Sequence, residues 1–175
     1  MEYNIINCNY EKHAKSILEI LNDAIENSTA LYDYKKRSLS SMINWFEQKQ
    51  SNNYPIIGLE KSNGELIAFG SYGAFRNWPA YKYSVEHSIY IHKDYRGHGL
   101  GHILLESLIK SAQSNNYHVM IGGIDATNKG SIALHEKHGF QHVGTLPEVG
   151  YKFGRWLDLA FYQLTLNTPN TPNEE

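Results

Sequence analysis

The sequence predicts a mixed α/β fold, a sheet of about seven strands flanked by four helices, and three observations carry that prediction. Apolar residues recur at helical spacing in four segments of the chain. Short apolar or alternating runs, bounded by turn residues, lie between those segments. Strands and helices alternate in the second half, which favours parallel pairing there and so a mixed sheet. Because 175 residues are the length of one ordinary domain, we expect a single domain over residues 1–166 and a flexible tail over residues 167–175.

The chain begins with a predicted strand and two predicted helices. Residues 3–8 are a short strand candidate, and Asn9 is a suitable N-cap for the helix that follows. The apolar positions of that helix are Ala14, Ile17, Leu18, Leu21, Ala24 and Ile25. A second helix is predicted over residues 39–50, with Met42, Ile43 and Phe46 on one side.

Three predicted strands come next. Residues 54–59 and 66–72 are strand-like, and Asn63-Gly64 between them is a strong signal for a hairpin turn. Residues 83–92 alternate, which is typical of a strand with two different faces. One face carries Val85, His87, Ile89 and Ile91, and the other carries Glu86, Ser88 and Tyr90.

The second half is predicted to alternate between helices and strands. An amphipathic helix carries Leu100, Ile103, Leu104, Leu108 and Ala112. A buried strand is expected at residues 119–124, and a short helix at residues 131–138 that Gly139 ends. Residues 140–144 and 152–166 are the last two strands. The final strand is apolar on both faces near its middle, so we expect it to be central in the sheet.

Composition excludes several functional classes. Sixteen basic against eighteen acidic residues give a formal charge of -2, which argues against nucleic acid as a main partner because phosphate binding needs a concentrated basic surface. Cys8 is the one cysteine, so an intrachain disulfide is impossible. The N-terminus lacks the basic start and apolar run of a signal peptide, and no stretch is long enough to span a membrane. We therefore expect a soluble cytoplasmic protein with no nucleic acid or membrane partner.

The sharpest motif is Arg96-Gly97-His98-Gly99-Leu100-Gly101, between a predicted strand and a predicted helix. Glycines let the backbone approach a ligand, and the start of the helix supplies unpaired N–H donors and the positive end of the dipole. These features are typical of a site for phosphate or pyrophosphate. The spacing differs from both the dinucleotide fingerprint and the P-loop. A plain glycine-rich turn that binds nothing is the alternative.

The pattern R-x-x-G-x-G after a strand resembles the acetyl-CoA pyrophosphate loop of the GNAT superfamily of N-acetyltransferases. Three further segments resemble one branch, the phosphinothricin and methionine sulfoximine acetyltransferases, which act on free amino acids and analogues. Residues 85–92 resemble V-E-x-S-V-Y-V-H, and residues 152–158 resemble K-x-G-R-W-L-D. Asn128 with residues 131–140 resembles N-x-x-S-x-x-L-H-E-x-x-G-F. Four motifs in order are far more specific than one glycine loop.

The resemblance implies the GNAT acyl-CoA N-acyltransferase fold, with strands 4 and 5 splayed apart and acetyl-CoA between them as cosubstrate. The backbone of one strand would pair with the pantetheine arm, the loop would hold the pyrophosphate, and Asn128 would bond the pantetheine near the thioester. A plain helix N-cap is the alternative for Asn128. The implied cofactor-binding residues are Ile89, Tyr90, Ile91, Arg96, Gly97, His98, Gly99, Leu100, Gly101, His102 and Asn128.

The resemblance also implies roles for side chains near the acceptor. Glu86 would be the catalytic base that takes the proton of the amine, and a solvent-facing strand carboxylate is its alternative. His135 would protonate the leaving thiolate, or pack beside the pantetheine arm. Arg76 suits a bidentate grip on an amino acid's carboxylate, although a surface arginine is the simpler interpretation. Lys152 and Arg155 either line the same pocket or are structural.

Taken together, these features predict an acetyl-CoA-dependent N-acetyltransferase for the α-amino group of small amino acids or analogues, working by direct attack in a ternary complex. One alternative acceptor is a peptide N-terminus or a polyamine. A second alternative is a non-catalytic sensor that binds acyl-CoA. The resemblance also implies a homodimer. We expect no metal, because His98 and His102 lack the glutamate of the H-E-x-x-H motif and two ligands do not make a zinc site.

Overall fold

The computed structural model describes residues 2–175, and these residues follow the predicted order of strands and helices. The helices are α1 (Tyr10–Asn27), α2 (Leu39–Ser51), α3 (Leu100–Ser114) and α4 (Lys129–Lys137). The strands are β1 (Asn4–Asn7), β2 (Ile56–Glu60), β3 (Leu66–Ala74), β4 (Ser84–Ile91), β5 (Val119–Asp125), β6 (Gln141–Lys152) and β7 (Arg155–Thr165). Within residues 2–175, no helix has the length and apolar character needed to cross a membrane.

The strands form one seven-stranded mixed sheet in the order β1-β2-β3-β4-β5-β7-β6. The pairs β1–β2, β2–β3, β5–β7 and β6–β7 are antiparallel. β4 pairs with β5 in parallel, from Ser84 opposite Val119 to Glu86 opposite Ile121. The predicted mixed α/β class is therefore confirmed, and the parallel pair joins β4 to β5, the first strand of the alternating second half. The prediction of a central last strand is confirmed only in part: β7 is not an edge strand, since it lies between β5 and β6, but it is the second strand from the edge of the sheet.

The residues up to Ser71, together with Ser88–Leu105, form one compact unit. Its α1 begins at the predicted cap, where Asn9 Oδ1 accepts a hydrogen bond of 2.9 Å from the backbone N–H of Lys12. The apolar stripes of α1 and α2 pack against β2 and β3, which is what their helical spacing predicted. This core consists of Ala14, Ile17, Ile20, Leu21, Met42, Phe46, Ile56, Leu66 and Phe69.

Tyr72–His87 and Glu106–Glu175 form a second compact unit. Its buried apolar residues include Tyr72, Val85, Leu108, Ala112, Met120, Ile121, Ile124, Phe140, Leu157, Ala160 and Tyr162. Gly139 follows α4 with φ +85°, a left-handed conformation that glycine adopts without strain, so the predicted helix stop is confirmed. The prediction of a single domain over residues 1–166 stays a prediction.

The boundaries of the last two strands were predicted wrongly. β6 continues through Lys152 and β7 begins only at Arg155, so Lys152 ends one strand instead of beginning the next. Phe153 (φ 52°) and Gly154 (φ 73°) form the turn between them. The pairing shifts register between Leu146 and Gly150, and this irregularity interrupts the alternation from which a strand is recognised.

Residues 167–175 contain neither helix nor strand. Lys82 Nζ donates a hydrogen bond of 3.0 Å to Asn173 Oδ1, and the ring Nδ1 of His118 lies 2.8 Å from the carbonyl oxygen of Thr168. The flexibility of this tail stays a prediction.

Candidate active site

The glycine motif forms the loop between β4 and the start of α3. Gly97 and Gly99 have φ angles of +80° and +74°, which other residues adopt only with strain. A Cβ atom at either position would meet open space, so glycine is required here for backbone conformation and not for close packing. α3 then begins at Leu100. The loop thus has open space beside its glycines at the positive end of a helix.

The basic side chains of this loop are turned towards the protein. Arg96 forms an ion pair of 2.6 Å with Asp23 of α1, and its Nε donates to the carbonyl oxygen of Ile91 at 3.3 Å. The His98 ring places Nδ1 3.0 Å from the carbonyl oxygen of Arg96. These contacts hold the loop in shape. A direct contact between Arg96 and a phosphate stays a prediction, and it would compete with Asp23.

The segment that the resemblance assigns to the pantetheine arm is the end of β4. Ile89, Tyr90 and Ile91 are all partly exposed, so the alternation of the strand fades there. The Tyr90 ring packs on Phe69, with 5.3 Å between ring centroids. Partial exposure leaves this stretch of backbone accessible, and its pairing with a ligand stays a prediction.

Glu86, the predicted catalytic base, lies on β4. Its carboxylate rests over β5, since a Cβ atom at Gly123 would lie 3.0 Å from Glu86 Oε1. Although the residue retains solvent exposure, the surrounding protein desolvates the carboxyl group and raises its pKa, while the positive charge of Arg76 lowers it. The net shift is upward. It brings the pKa of Glu86 closer to neutral pH, which makes the carboxylate a better proton acceptor there.

Arg76 belongs to an open cleft in the loop after β3. The cleft has a volume of about 580 Å³ and is lined by Ala74, Phe75, Arg76, Asn77, Trp78 and Pro79. The Arg76 guanidinium lies over the Phe75 ring, 5.3 Å from its centroid. The structure therefore places an exposed cation and the candidate base within electrostatic reach of each other.

His135 makes a buried contact with His87, the residue next to Glu86. The two Nε2 atoms are 2.9 Å apart. Each Nδ1 lies against a backbone carbonyl oxygen: that of Ile121 for His87, at 2.9 Å, and that of Ser131 for His135, at 2.7 Å. Both ring nitrogens of His135 are thus engaged within the protein. Its role as a proton donor to the leaving thiolate stays a prediction.

Asn128 caps α4. Its Oδ1 accepts a hydrogen bond of 3.1 Å from the backbone N–H of Ser131. The capping alternative is therefore confirmed, and a bond from Asn128 to the pantetheine arm stays a prediction.

Arg155 supports the corner that leads into α4. It donates to Asp125 Oδ2 at 2.8 Å, and Asp125 Oδ1 accepts from both the backbone N–H and the hydroxyl of Thr127 at 2.9 Å. The side chain of Asp125 is only 2% exposed, so the ion pair compensates a buried charge. Lys152 is buried too, with Nζ 4.8 Å from the centroid of the Phe153 ring. Arg155 therefore has the structural role that was one of its two predicted roles.

Among the described residues 2–175, no group of three His, Cys, Asp or Glu side chains lies together in a way that could hold a metal ion.

Comparison with known proteins identifies the family. Residues 15–140 match the acetyltransferase (GNAT) family. The chain belongs to that family. It is 42% identical to the L-methionine sulfoximine/L-methionine sulfone acetyltransferase of Pseudomonas paraeruginosa over 151 residues, which cover 86% of this chain and 88% of that protein.

Solved structures share the fold of this GNAT chain. An N-acetyltransferase from Staphylococcus aureus Mu50 is 47% identical with a TM-score of 0.91, over 94% of this chain and 99% of that one. A GNAT phosphinothricin acetyltransferase from Sinorhizobium meliloti, solved with AcCoA, is 34% identical with a TM-score of 0.90, over 95% of this chain and 89% of that one. The fold that the resemblance implied is confirmed.

Sequence reasoning missed three residues that shape the site of this GNAT protein. Gly122 and Gly123 of β5 lie under the histidine pair and under Glu86, because a Cβ atom at Gly122 would lie 3.0 Å from the His87 ring. Two adjacent glycines inside a predicted strand were the available signal, since glycine in a strand marks a close approach. Asp125 was also missed. Asp125 ends a buried strand and is followed closely by Thr127 and Asn128, which was a weaker signal of a role at the site.

Proposed function

We propose that this GNAT protein is an acetyl-CoA-dependent N-acetyltransferase for the α-amino group of small amino acids or analogues of the phosphinothricin, methionine sulfoximine and methionine sulfone class. The observation that carries the proposal is Glu86, a carboxylate with a raised pKa seated over Gly123 and acted on by the cation Arg76. One relative is named for acetylation of L-methionine sulfoximine and L-methionine sulfone, and another, solved with AcCoA, is named a phosphinothricin acetyltransferase. They support the substrate class as well as the reaction.

The cosubstrate fits the loop that precedes α3. Gly97 and Gly99 hold left-handed conformations with open space beside them, and a helix of fifteen residues begins at Leu100. Backbone N–H groups in this setting bind phosphate oxygens. We therefore assign the pyrophosphate to residues 97–102 and the pantetheine arm to residues 89–91 and Asn128.

Catalysis follows from the positions of Glu86 and Arg76. The acceptor arrives as an ammonium ion, and its carboxylate binds the Arg76 guanidinium. Glu86 takes one proton from the ammonium group, directly or through water. The neutral amine attacks the thioester carbon in a ternary complex, so that a C–N bond forms and the C–S bond breaks. The attacking nitrogen loses its second proton to solvent, and the leaving thiolate takes a proton from the solvent or from His135.

Arg76 also acts on the base, since its positive charge lowers the pKa of Glu86. When the acceptor's carboxylate pairs with Arg76, it offsets that charge, while the acceptor's ammonium group lowers the pKa of Glu86. The two charges of the bound zwitterion therefore have opposing effects on the pKa of the base.

The test is release of CoA thiol from acetyl-CoA with a panel of amines, each amino acid being compared with its amide. We expect turnover with methionine sulfone, methionine sulfoximine or phosphinothricin, and a large loss of kcat/KM for the amides and for Arg76→Gln. Glu86→Gln should lower kcat by roughly 10²–10⁴-fold and remove the acidic limb of the pH profile. Glu148→Gln, at an exposed site on β6, is the matched control.

Other outcomes overturn parts of the proposal. Turnover only with a peptide or a polyamine contradicts the amino acid acceptor and the role of Arg76. Acetyl-CoA binding without turnover of any amine favours a sensor. An unchanged rate and pH profile in Glu86→Gln rules out the assigned base.

We also propose that the protein is a homodimer. The β6–β7 hairpin exposes a set of large apolar side chains: Val143, Leu146, Val149, Tyr151, Phe153 and Trp156. A second copy of the same hairpin suits an apolar face of this kind, because most oligomers pair identical surfaces. Light scattering should give twice the monomer mass for the parent and the monomer mass for Trp156→Asp. A monomeric parent contradicts the proposal. A cytoplasmic location stays a prediction.

A further inference from the structure

The contacts of His87 and His135 determine how many hydrogens their ring nitrogens must carry. Carbonyl oxygens only accept hydrogen bonds, so the Nδ1 atoms that lie 2.9 Å from Ile121 O and 2.7 Å from Ser131 O both carry a hydrogen. A neutral imidazole has a single N–H. With both of these hydrogens on Nδ1, two Nε2 lone pairs face each other at 2.9 Å.

A third proton removes this conflict. We propose that His87 and His135 bind one proton between their Nε2 atoms and titrate as a single unit, which makes His87 a positioning residue for His135. The inference deepens the proposed function, because it concerns the histidine assigned there as a proton source. His87 had no role in the sequence prediction beyond its place on one face of the strand.

The surroundings of the histidine pair favour a single, coupled titration. His87 and His135 are 5% and 3% exposed, and a Cβ atom at Gly122 would lie within 3.1 Å of both rings. Phe140 packs on both rings, with centroids 5.5 Å and 5.1 Å away. From α4, His138 acts on His135 by charge, and His138 also acts on Glu106 of α3. β5 contributes the carbonyl oxygen of Ile121 to this contact.

Burial sets the direction of the titration. Loss of solvent lowers the pKa of His87 to about 3 and also lowers the pKa of His135, whose charge further disfavours protonation of His87. The pair therefore takes up its shared proton at a pH below the ordinary pKa range of histidine. Groups coupled this strongly titrate in steps that belong to the pair and not to either ring.

Loss of the shared proton changes the anchoring of the rings. The neutral pair needs one Nε2–H, and that hydrogen comes from one of the two Nδ1 atoms. One backbone contact is then given up, either to Ile121 on β5 or to Ser131 on α4. The protonation state of the pair thus decides how firmly His135 is held.

The test is nitrogen NMR of the full-length protein labelled at its histidine rings, titrated from pH 8 down to the onset of acid unfolding. We expect the ring signals of His87 and His135 to move together with one midpoint below 6.5, and both Nδ1 atoms to carry hydrogen at the acidic end. Independent midpoints for the two rings, or a Nδ1 that lacks hydrogen at every pH, overturns the proposal. This measurement needs no acetyl transfer, so it stands apart from a failure of the proposed function.

A conservative variant separates pairing from a structural role. In His87→Gln we expect the midpoint of His135 to shift by more than about one pH unit, since that is the scale at which sites count as coupled. His142→Gln, at an exposed histidine on β6, is the matched control and should leave both signals of the pair unchanged. An unshifted His135 in His87→Gln contradicts the pairing. If that variant does not fold, the titration of the parent protein decides alone.

Discussion

Replacement of Gly123 by alanine tests whether Glu86 works from the position in which the structure places it. The new Cβ atom would lie 3.0 Å from Glu86 Oε1 and 3.3 Å from Leu159 Cδ1. An ordinary van der Waals contact is longer than the first of these distances by about 0.5 Å. Because the Glu86 carboxylate is the end of a flexible side chain, we expect it to move away from the new Cβ atom. A misplacement of 1 Å can lower a rate about 10²-fold, so we expect roughly a 10-fold fall in kcat. Overpacking against Leu159 should lower stability by about 1–2 kcal/mol.

The assay is steady-state thiol release with methionine sulfone, together with thermal unfolding and acetyl-CoA affinity. The Tm should fall by only a few degrees, and acetyl-CoA affinity should stay at the parent value. Gly144→Ala is the matched control, since a Cβ atom there has nothing within 4 Å. If Gly123→Ala keeps the kcat of the parent, the reasoning that ties catalysis to this seat of Glu86 is refuted. If the variant fails to fold, the backbone of β5, and not the Glu86 carboxylate, is the part that the new Cβ atom displaces.

Three further predictions concern α4 and the groups around it. Arg155→Gln removes the charged hydrogen bond from Arg155 to the buried carboxylate of Asp125. It should lower the free energy of unfolding by about 1–3 kcal/mol, measured by urea unfolding. Lys110→Gln, at an exposed site, is the control and should have no measurable effect. Asn128→Ala should lower the free energy of unfolding by about 1 kcal/mol, and Asn128→Ser, which can still cap the helix, should restore it. Both variants should weaken acetyl-CoA binding measured by calorimetry. Unchanged binding would mean that Asn128 only caps α4. Burial lowers the pKa of His87 from 6.5 to about 3, so the unfolded chain binds a proton there that the folded chain does not. The free energy of unfolding should therefore fall as pH drops below 6.5, by up to about 1.4 kcal/mol per pH unit, and His87→Gln should reduce that slope.

The sequence predicted the fold well because local signals and the sheet pattern agree. Asn9 caps α1, Gly64 turns the first hairpin with φ +86°, and Gly139 ends α4. Each depends on a residue type whose backbone preference is strong enough to act alone. The β6–β7 hairpin was predicted less well. Its turn uses Phe153 in a left-handed conformation, which residue preference does not favour.

The candidate site was likewise predicted well where local motifs exist and poorly where distant residues come into contact. The glycine pattern singled out the loop, and the resemblance to family motifs singled out Glu86 and His135, because each motif is a contiguous segment. The motifs could not show that His87 pairs with His135, since 48 positions separate them. Nor could they show that Arg155 is bound to Asp125, 30 positions away. Contacts of this kind arise only when strands and a helix are brought together, and a single sequence carries no local sign of them.

The adjacent glycines of β5 have a consequence for how this enzyme can diversify. Side chains of successive strand residues point to opposite faces, so Gly122 and Gly123 leave room for the histidine pair on one face and for Glu86 on the other. Selection for a new acceptor therefore has little freedom on β5, where any larger residue disturbs one of these groups. The exposed residues 77–79, next to Arg76, carry no such constraint. Laboratory evolution of acceptor preference should accumulate its changes at these residues and leave both glycines intact.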